Sequence, residues 1–377
     1  MYIEENETIL RDVIAAYNFP DALDSVVRYG NGHINDTYCV ICHSKEGKEN
    51  RYILQGLSLA AFPRQAEVME NFIGITAHLR RKIESVGGDP MRETLNLVPT
   101  RDGELYHTDP TGKVWRLTYF IEDTVCPQQA TPELFEASAR AFGRFQMLMQ
   151  DYPAKTLYET IISFHNTEDR FVKFLDAFRA DKLCRAKGVM AEIKFVLDRE
   201  ADCSVAMNAL REGKLPLRVT HNDTKLNNIL FDKNTLEGIC IIDLDTTMPG
   251  LSIYDFGDSI RFGANHCAED EKDLSKVNFD IDLYARYTRG FLTGAQGIFT
   301  ETELAYLPWG ARLMTLECGI RFLTDYLDGD NYFHIQYPEQ NLDRCRTQFK
   351  LVRDMELQWE HMQQVICDVA AELGENG

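Results

Sequence analysis

Positive charge is in short supply. The 377 residues carry 40 Lys plus Arg against 59 Asp plus Glu, a formal net charge of −19. Nucleic-acid backbones are bound chiefly through a surplus of Lys and Arg, so this deficit argues against a nucleic-acid partner. It argues equally against docking on an anionic membrane surface. One anionic cofactor remains compatible, because a few cations and backbone N–H groups can handle its phosphates. Long apolar runs are missing too: none approaches the ~18–20 residues that cross a bilayer. The opening M-Y-I-E-E-N-E-T-I-L is acidic, not basic and then apolar, so it does not read as a signal segment. H-E-x-x-H, G-x-S-x-G and G-x-x-x-x-G-K-[ST] are all absent, which removes zincin, α/β-hydrolase and P-loop readings. No internal repeat or low-complexity tract occurs. The ten cysteines are scattered, which suits a reduced, cytoplasmic compartment. Cys39 and Cys42 form a lone C-x-x-C; on a strand the two thiols point to opposite faces, and no second pair completes a zinc site.

What is present is ordinary globular material, 44% hydrophobic and 26% charged, in a chain long enough for two or three domain-sized units. Residues 2–18 space Ile3, Leu10, Val13, Ile14 and Tyr17 as a helix does. Tyr29 to Cys42 reads as two strands around a glycine turn, and Arg51–Gln55 as a third strand. A helix is expected from Pro63 to about Ile83. Glu104–His107 and Val114–Ile121 flank D-P-T-G as a hairpin. Beyond Phe120–Thr124 the patterns turn helical: from Pro132, from about Thr302 to Leu327, and in one run from about Gln340 to Leu373. A small β-rich part joined to a larger helical part implies a cleft, where ligands usually bind.

The chemistry concentrates in Leu217-Arg-Val-Thr-His221-Asn-Asp223-Thr-Lys225-Leu-Asn-Asn228-Ile-Leu-Phe, followed by Gly238-Ile-Cys-Ile-Ile-Asp243-Leu-Asp245. H-x-D-x-x-x-x-N between apolar strands, with a strand-terminal Asp beyond, is the arrangement that phosphoryl transfer uses on kinase-like folds. A loop Asp (Asp223) can accept a hydroxyl proton and aim that oxygen at a γ-phosphate. Asn228 and Asp243 supply hard oxygen ligands for Mg²⁺. Lys225 can reach the transferring phosphoryl group as a positive charge. Asp245 is ambiguous between metal ligand and supporting group. His221 reads as a structural histidine bonding backbone, and Asp255 as a helix-start residue that buttresses the loop.

These motifs resemble the aminoglycoside phosphotransferase and choline kinase superfamily. Longer blocks are similar to the N-acetylhexosamine 1-kinase family. They include Y-G-N-G-H-I-N-D-T-Y, W-R-L-T-Y-F-I-E-D-T-V, L-R-V-T-H-N-D-T-K-L-N-N-I-L, I-I-D-L-D-T-T-M-P-G and L-E-C-G-I-R-F-L-T-D-Y-L-D-G-D-N-Y-F, and they span about residues 29–356. The resemblance implies an α+β, bilobal protein-kinase-like fold. A small β-rich nucleotide-binding N-lobe would span residues 1–120, and a larger, mostly helical catalytic C-lobe residues 121–377. It implies transfer of the ATP γ-phosphate to the anomeric hydroxyl of N-acetylglucosamine or N-acetylgalactosamine, with Mg²⁺. On matching positions, Asp223 would contact that hydroxyl, and His33, Asn35, Arg321 and Tyr332 would contact the sugar. The backbone of Phe120, Ile121 and Glu122 would hold adenine. A cytoplasmic monomer, with ATP and a small sugar as its partners, is the expected setting.

Two departures from the protein-kinase pattern favour a small-molecule kinase. Gln55 stands where protein kinases keep the strand lysine that holds the α and β phosphates, so neutralisation should fall more heavily on Mg²⁺. The glycine turn, Gly30-Asn31-Gly32, lacks a third glycine; Gly30 and Gly32 would border the nucleotide or serve the turn alone. Arg321 can equally be read as an i,i+4 ion-pair partner of Glu317 or Asp325. Asp325, Asp328 and Asp330 leave room for a cationic acceptor such as choline, homoserine or an aminoglycoside. A different sugar is a further alternative acceptor, and a catalytically silent nucleotide- or sugar-binding module an alternative of another class, against which the intact Asp223, Asn228 and Asp243 set argues.

Overall fold

Strand-forming residues crowd the first third of the chain, and there they pair. The computed structural model describes residues 2–19, 22–30, 34–127 and 129–375. It is a mixed α+β structure, β-sheet in its N-terminal region and helical in its C-terminal region. The chain divides into two compact units, Met1–Val125 with Ile239–Thr247, and Cys126–Gly238 with Met248–Gly377. Among the described residues no helix is long and apolar enough to cross a membrane.

The first unit runs α1 (Tyr2–Ala15), β1 (Ala22–Arg28), β2 (Asp36–His43), β3 (Glu49–Gly56), α2 (Gln65–Ser85), the single turn α3 (Pro90–Glu93), β4 (His107–Thr108), β5 (Val114–Tyr119) and β6 (Thr124–Val125). Strands β1 to β5 form one antiparallel sheet in the order β1-β2-β3-β5-β4. Its register sets Leu54 opposite Tyr38 and Leu117, and Gln55 opposite Thr37 and Arg116. Side chains alternate across a strand, so the two sets take opposite faces. Tyr52, Leu54 and Leu117 join Val40, Cys42 and Trp115 with Val13 and Tyr17 in a dry core. Each such buried apolar side chain contributes roughly 1.5–3 kcal/mol. Gln55 and Arg116 occupy the other face, where Arg116 stacks over Phe72 of α2 at 4.2 Å.

One element departs from the pattern reading. The first strand is Ala22–Arg28, and Tyr29 and Gly30 follow it outside any strand. As an edge strand β1 leaves Leu23 and Val27 exposed, so its sequence, A-L-D-S-V-V-R, lacks the alternation that marks a half-buried strand. Cys39 and Cys42 are both buried, and neither is in a disulfide.

In the second unit the helices are α4 (Pro132–Leu148), α5 (Thr167–Ala180), α6 (Met190–Leu197), α7 (Glu200–Cys203) and α8 (Val205–Arg211). Strands β7 (Arg218–Thr220) and β8 (Ile229–Asp232) follow. Then β9 (Gly238–Ile241) leads into the segment counted with the first unit, and β10 (Met248–Gly250) returns. Helices α9 (Ser252–Gly263), α10 (Ile281–Ala295), α11 (Glu301–Asp328), α12 (Gln340–Leu357) and α13 (Trp359–Glu375) complete the chain. Thr131 caps α4 and Thr300 forms a capping box with Glu303 on α11, each cap contributing about 1 kcal/mol. Phe171 and Phe174 of α5, Ile193 of α6, Leu316, Ile320 and Leu323 of α11 and Phe349 of α12 share one core.

The single helix expected over 340–373 is two, broken at Gln358. The break turns Trp359 edge-on to Trp309 at 5.0 Å and leaves Leu357 85% exposed. No Gly or Pro marks it, so periodicity runs straight through.

Helices α4 and α10 meet backbone to backbone. A Cβ on Gly143 would lie 2.1 Å from the Phe291 carbonyl oxygen, and one on Gly294 2.1 Å from that of Arg140. Gly294→Ala gains up to about 1 kcal/mol in helix propensity. It costs more in forced separation, so a net loss of about 1–3 kcal/mol is expected in denaturant melts. Unchanged stability would mean that the helices part freely.

Candidate active site

The loop from His221 to Asn228 joins β7 to β8, and its backbone is held by α9. Asp255, in the first turn of α9 and fully buried, accepts the His221 N–H at 2.9 Å and the Asn222 N–H at 2.8 Å. Gln146 donates to the same carboxylate at 2.7 Å and to the Val219 carbonyl at 3.0 Å. Burial raises the Asp255 pKa, against the opposing pull of His221, the two backbone N–H groups and Gln146. Farther along, Thr224 N–H donates to Asp258 at 3.1 Å, and its hydroxyl to the Asp255 carbonyl at 2.7 Å. Asp255 is thus the buttress that its sequence position suggested. His221 is structural as well: its Nδ1 accepts the Asp223 N–H at 3.3 Å and its ring stands edge-on to Phe142.

Fixing the backbone gathers Asp223, Lys225 and Asn228. Asp223 Oδ1 lies 2.6 Å from Lys225 Nζ, and Oδ2 accepts from Asn228 Nδ2 at 2.9 Å. Asn228 Nδ2 also donates to the Asp223 carbonyl at 2.8 Å, so its donor end is committed to the loop. The Asp223 and Lys225 side chains remain 25% and 37% exposed. Burial lowers the Lys225 pKa, but the charges of Asp223 and Asp258 outweigh it and hold the ammonium protonated. With Lys225 and Asn228 each holding one of its oxygens, the main contribution of the Asp223 carboxylate is orientation.

Helix α11 and the segment after it place Arg321 and Tyr332 together. Arg321 Nη2 donates to the Tyr332 hydroxyl at 3.3 Å, and Tyr332 is 69% exposed. The acids nearby are occupied. Asp325 accepts the backbone N–H groups of Asn331, Tyr332 and Phe333 at 2.8–2.9 Å and the Asn341 amide at 2.9 Å. Asp328 pairs with Lys182 at 2.9 Å and Asp330 with Arg185 at 2.6 Å. Glu317 accepts from Thr167 and pairs with His165. Both carboxylates that flank Arg321 in sequence therefore direct their oxygens to other donors.

The remaining sequence-selected residues lie in the first unit. Gln55 Oε1 accepts from Arg116 Nε at 3.2 Å and Nη2 at 2.9 Å. The same guanidinium meets Asp245 Oδ1 at 2.5 Å, with both side chains only 1% exposed. Asn35 donates to Asp245 Oδ2 at 2.7 Å and accepts the Ser58 N–H at 3.0 Å. Asp245 is thereby a supporting group, while Asp243 is exposed at φ +59°. Phe120 N–H donates to the Arg51 carbonyl at 3.1 Å, and the Ile121 carbonyl accepts the Thr124 hydroxyl at 2.9 Å. Glu122 pairs with Arg51, whose guanidinium lies 4.1 Å from the Phe120 ring. Arg51, Tyr119, Phe120 and Glu122 border a cavity of about 460 Å³. Gly30 adopts φ +77°, a region that favours glycine, with open space around it. Gly32 and His33 lie outside the described residues.

The model of the phosphotransferase enzyme family matches residues 25–292. The chain belongs to that family. Membership carries the class of chemistry, ATP-dependent phosphoryl transfer to a small-molecule acceptor. Solved structures of similar fold include the microcompartment-associated aminopropanol kinase, with TM-score 0.63 and 18% identity over 95% of this chain and 98% of that one. An aminoglycoside phosphotransferase from Alicyclobacillus acidocaldarius gives 0.57 and 13% over 97% and 96%. Amicoumacin kinase hAmiN, in complex with AMP-PNP, Ca²⁺ and Ami, gives 0.56 and 14% over 95% and 96%. At these identities the likeness is one of fold.

The sequence reading of this phosphotransferase did not single out Arg116 in the first unit or His165 in the second. Only an odd Arg within W-R-L-T-Y-F marked the first. A search for buried charge on strands would have found it.

Proposed function

We propose that this phosphotransferase moves the γ-phosphate of ATP to the anomeric hydroxyl of N-acetylglucosamine or N-acetylgalactosamine, releasing ADP and the hexosamine 1-phosphate. The observation that carries the choice of acceptor is the engagement of Asp325, Asp328 and Asp330. An amine-bearing acceptor needs carboxylates to receive its ammonium group, and here they serve backbone N–H groups, Lys182 and Arg185. What the surface beside them offers is the Arg321 guanidinium and the Tyr332 hydroxyl, groups suited to an uncharged polyol.

In this reading Asp223 accepts the proton of the anomeric hydroxyl as its oxygen bonds to the γ-phosphorus and the bond to the β-phosphate oxygen breaks. An anomeric hydroxyl is more acidic than an ordinary alcohol, which suits a carboxylate already stabilised by Lys225. Among the described residues no three His, Cys, Asp or Glu side chains gather into a metal site. Mg²⁺ would therefore rely on few protein oxygens, as it commonly does, and on water and phosphate. Asn228, its nitrogen turned to Asp223, keeps its amide oxygen for that use, and Asp243 presents an exposed carboxylate. Bound Mg²⁺ supplies charge neutralisation on the transferring phosphates.

An ADP-release screen over N-acetylglucosamine, N-acetylgalactosamine, glucose, galactose, choline and homoserine tests the reading. Turnover of a hexosamine is expected at about 100-fold higher kcat/KM than of either amine. EDTA should abolish it and Mg²⁺ restore it. Turnover of an amine, with none of the hexosamines, would sink the sugar assignment.

A further inference from the structure

His165 sits between two acceptors. Its Nδ1 lies 2.9 Å from Glu317 Oε1, and its Nε2 lies 3.1 Å from the carbonyl oxygen of Asn222. A peptide carbonyl only accepts, so Nε2 carries a hydrogen. A carboxylate likewise only accepts, and the other Glu317 oxygen already takes the Thr167 hydroxyl at 3.0 Å. Both ring nitrogens donate when the pair is imidazolium and carboxylate. The side chains are 8% and 2% exposed, so the pair is largely withdrawn from bulk solvent.

The charges around the ring agree. Glu317 and Arg321 come from α11, Asp258 from α9 and Arg170 from α5, while Phe164 and Tyr254 cover the ring faces. Burial pulls the His165 pKa down, but Glu317, Asp258 and the Asn222 carbonyl outweigh it and leave it raised. Burial would raise Glu317, but His165, Arg170 and Arg321 hold it lowered.

The carbonyl that His165 grips belongs to a residue in an unusual conformation. Asn222 has φ +65°, a region that a non-glycine residue occupies at a cost of about 1 kcal/mol unless its surroundings hold it. Its N–H is taken by Asp255, its side chain by the Thr220 carbonyl, and its C=O by His165. The Asn222–Asp223 peptide plane is thus fixed at the residue that carries the proposed base. Glu317 lies one helical turn before Arg321, so the same turn of α11 supports the loop and the acceptor-side arginine.

We propose that His165 is a positioning residue, a doubly donating imidazolium that ties α11 through Glu317 to the Asn222 carbonyl and so sets the direction of the Asp223 carboxylate. The proposal rests on the reading of Asp223 as the acceptor base, but not on the identity of the acceptor.

Two measurements on the full chain test it. In ¹⁵N-labelled protein near neutral pH, the long-range ring correlation lost in His165→Gln should show both nitrogens protonated. A neutral ring with a single N–H would overturn the proposal, however the variants behave. In steady-state kinetics with whichever acceptor the wild type turns over, His165→Gln should lower kcat about 30-fold with the ATP KM within about twofold. An amide presents one donor and one acceptor end, so it cannot satisfy both partners. Glu317→Gln should lower kcat comparably, and the double variant should fall little further, because one connection is cut twice. Multiplied losses, or a kcat within threefold of wild type in His165→Gln, would overturn it. Failure of the hexosamine assignment shows in the acceptor screen and leaves the ring measurement unaffected.

Discussion

Asp223→Ala is expected to lower kcat by about 10³–10⁴-fold while the protein stays folded. The size follows from losing both the proton acceptor and the group that aligns the attacking oxygen. Retention of the fold follows from the way the loop is built. Its backbone is held by Asp255 through the His221 and Asn222 N–H groups and by Asp258 through Thr224, none of which involves the Asp223 side chain. What the variant leaves behind is Lys225, partly exposed and close to Asp258, and Asn228, which keeps its bond to the residue 223 carbonyl. Circular dichroism and the melting temperature should therefore match wild type, with the ATP KM changed little. Activity within tenfold of wild type in the ADP-release assay would remove Asp223 from its proposed role.

Arg116→Met should cost about 3–5 kcal/mol of stability, the usual loss when one member of a buried ion pair is removed. Arg116 and Asp245 are both 1% exposed, so no water is at hand to compensate the stranded carboxylate. Gln55 would lose two hydrogen bonds and Phe72 its stacked guanidinium in the same step. A fall in melting temperature on the order of 10 °C is the expected reading. Arg116→Met with Asp245→Leu should recover most of the loss, because a buried pair replaced by apolar groups of similar size is often neutral. A single variant as stable as wild type would show that Asp245 finds another partner.

Local pattern made the region around the candidate active-site loop legible. The spacing of Asp223, Lys225 and Asn228 between apolar strands and the position of Asp255 at a helix start were readable because each depends on neighbours within a few dozen residues. Strands β2, β3 and β5 and helices α2, α4 and α11 showed through period and turn chemistry, whereas β1 and the break between α12 and α13 did not. The partners of His165 and Arg116 did not. His165 meets Glu317 across 152 residues of sequence, and Arg116 meets Asp245 across 129. No periodicity encodes such pairings, which only tertiary structure creates. Arg321 illustrates the same limit from the other side. Sequence spacing offered it Glu317 and Asp325, and the fold spends both elsewhere, on His165 and on the backbone of 331–333.

The return of Ile239–Thr247 to the first unit also bears on how the protein is made. Arg116 leaves the ribosome 129 residues ahead of its counter-ion Asp245. At ~5–20 residues per second that interval is roughly 6–26 s. Until it ends, the guanidinium must stay hydrated, and that face of the nascent sheet cannot close. The first unit is therefore incomplete when its opening 125 residues have emerged, and its last piece arrives only after residues 126–238 of the helical unit.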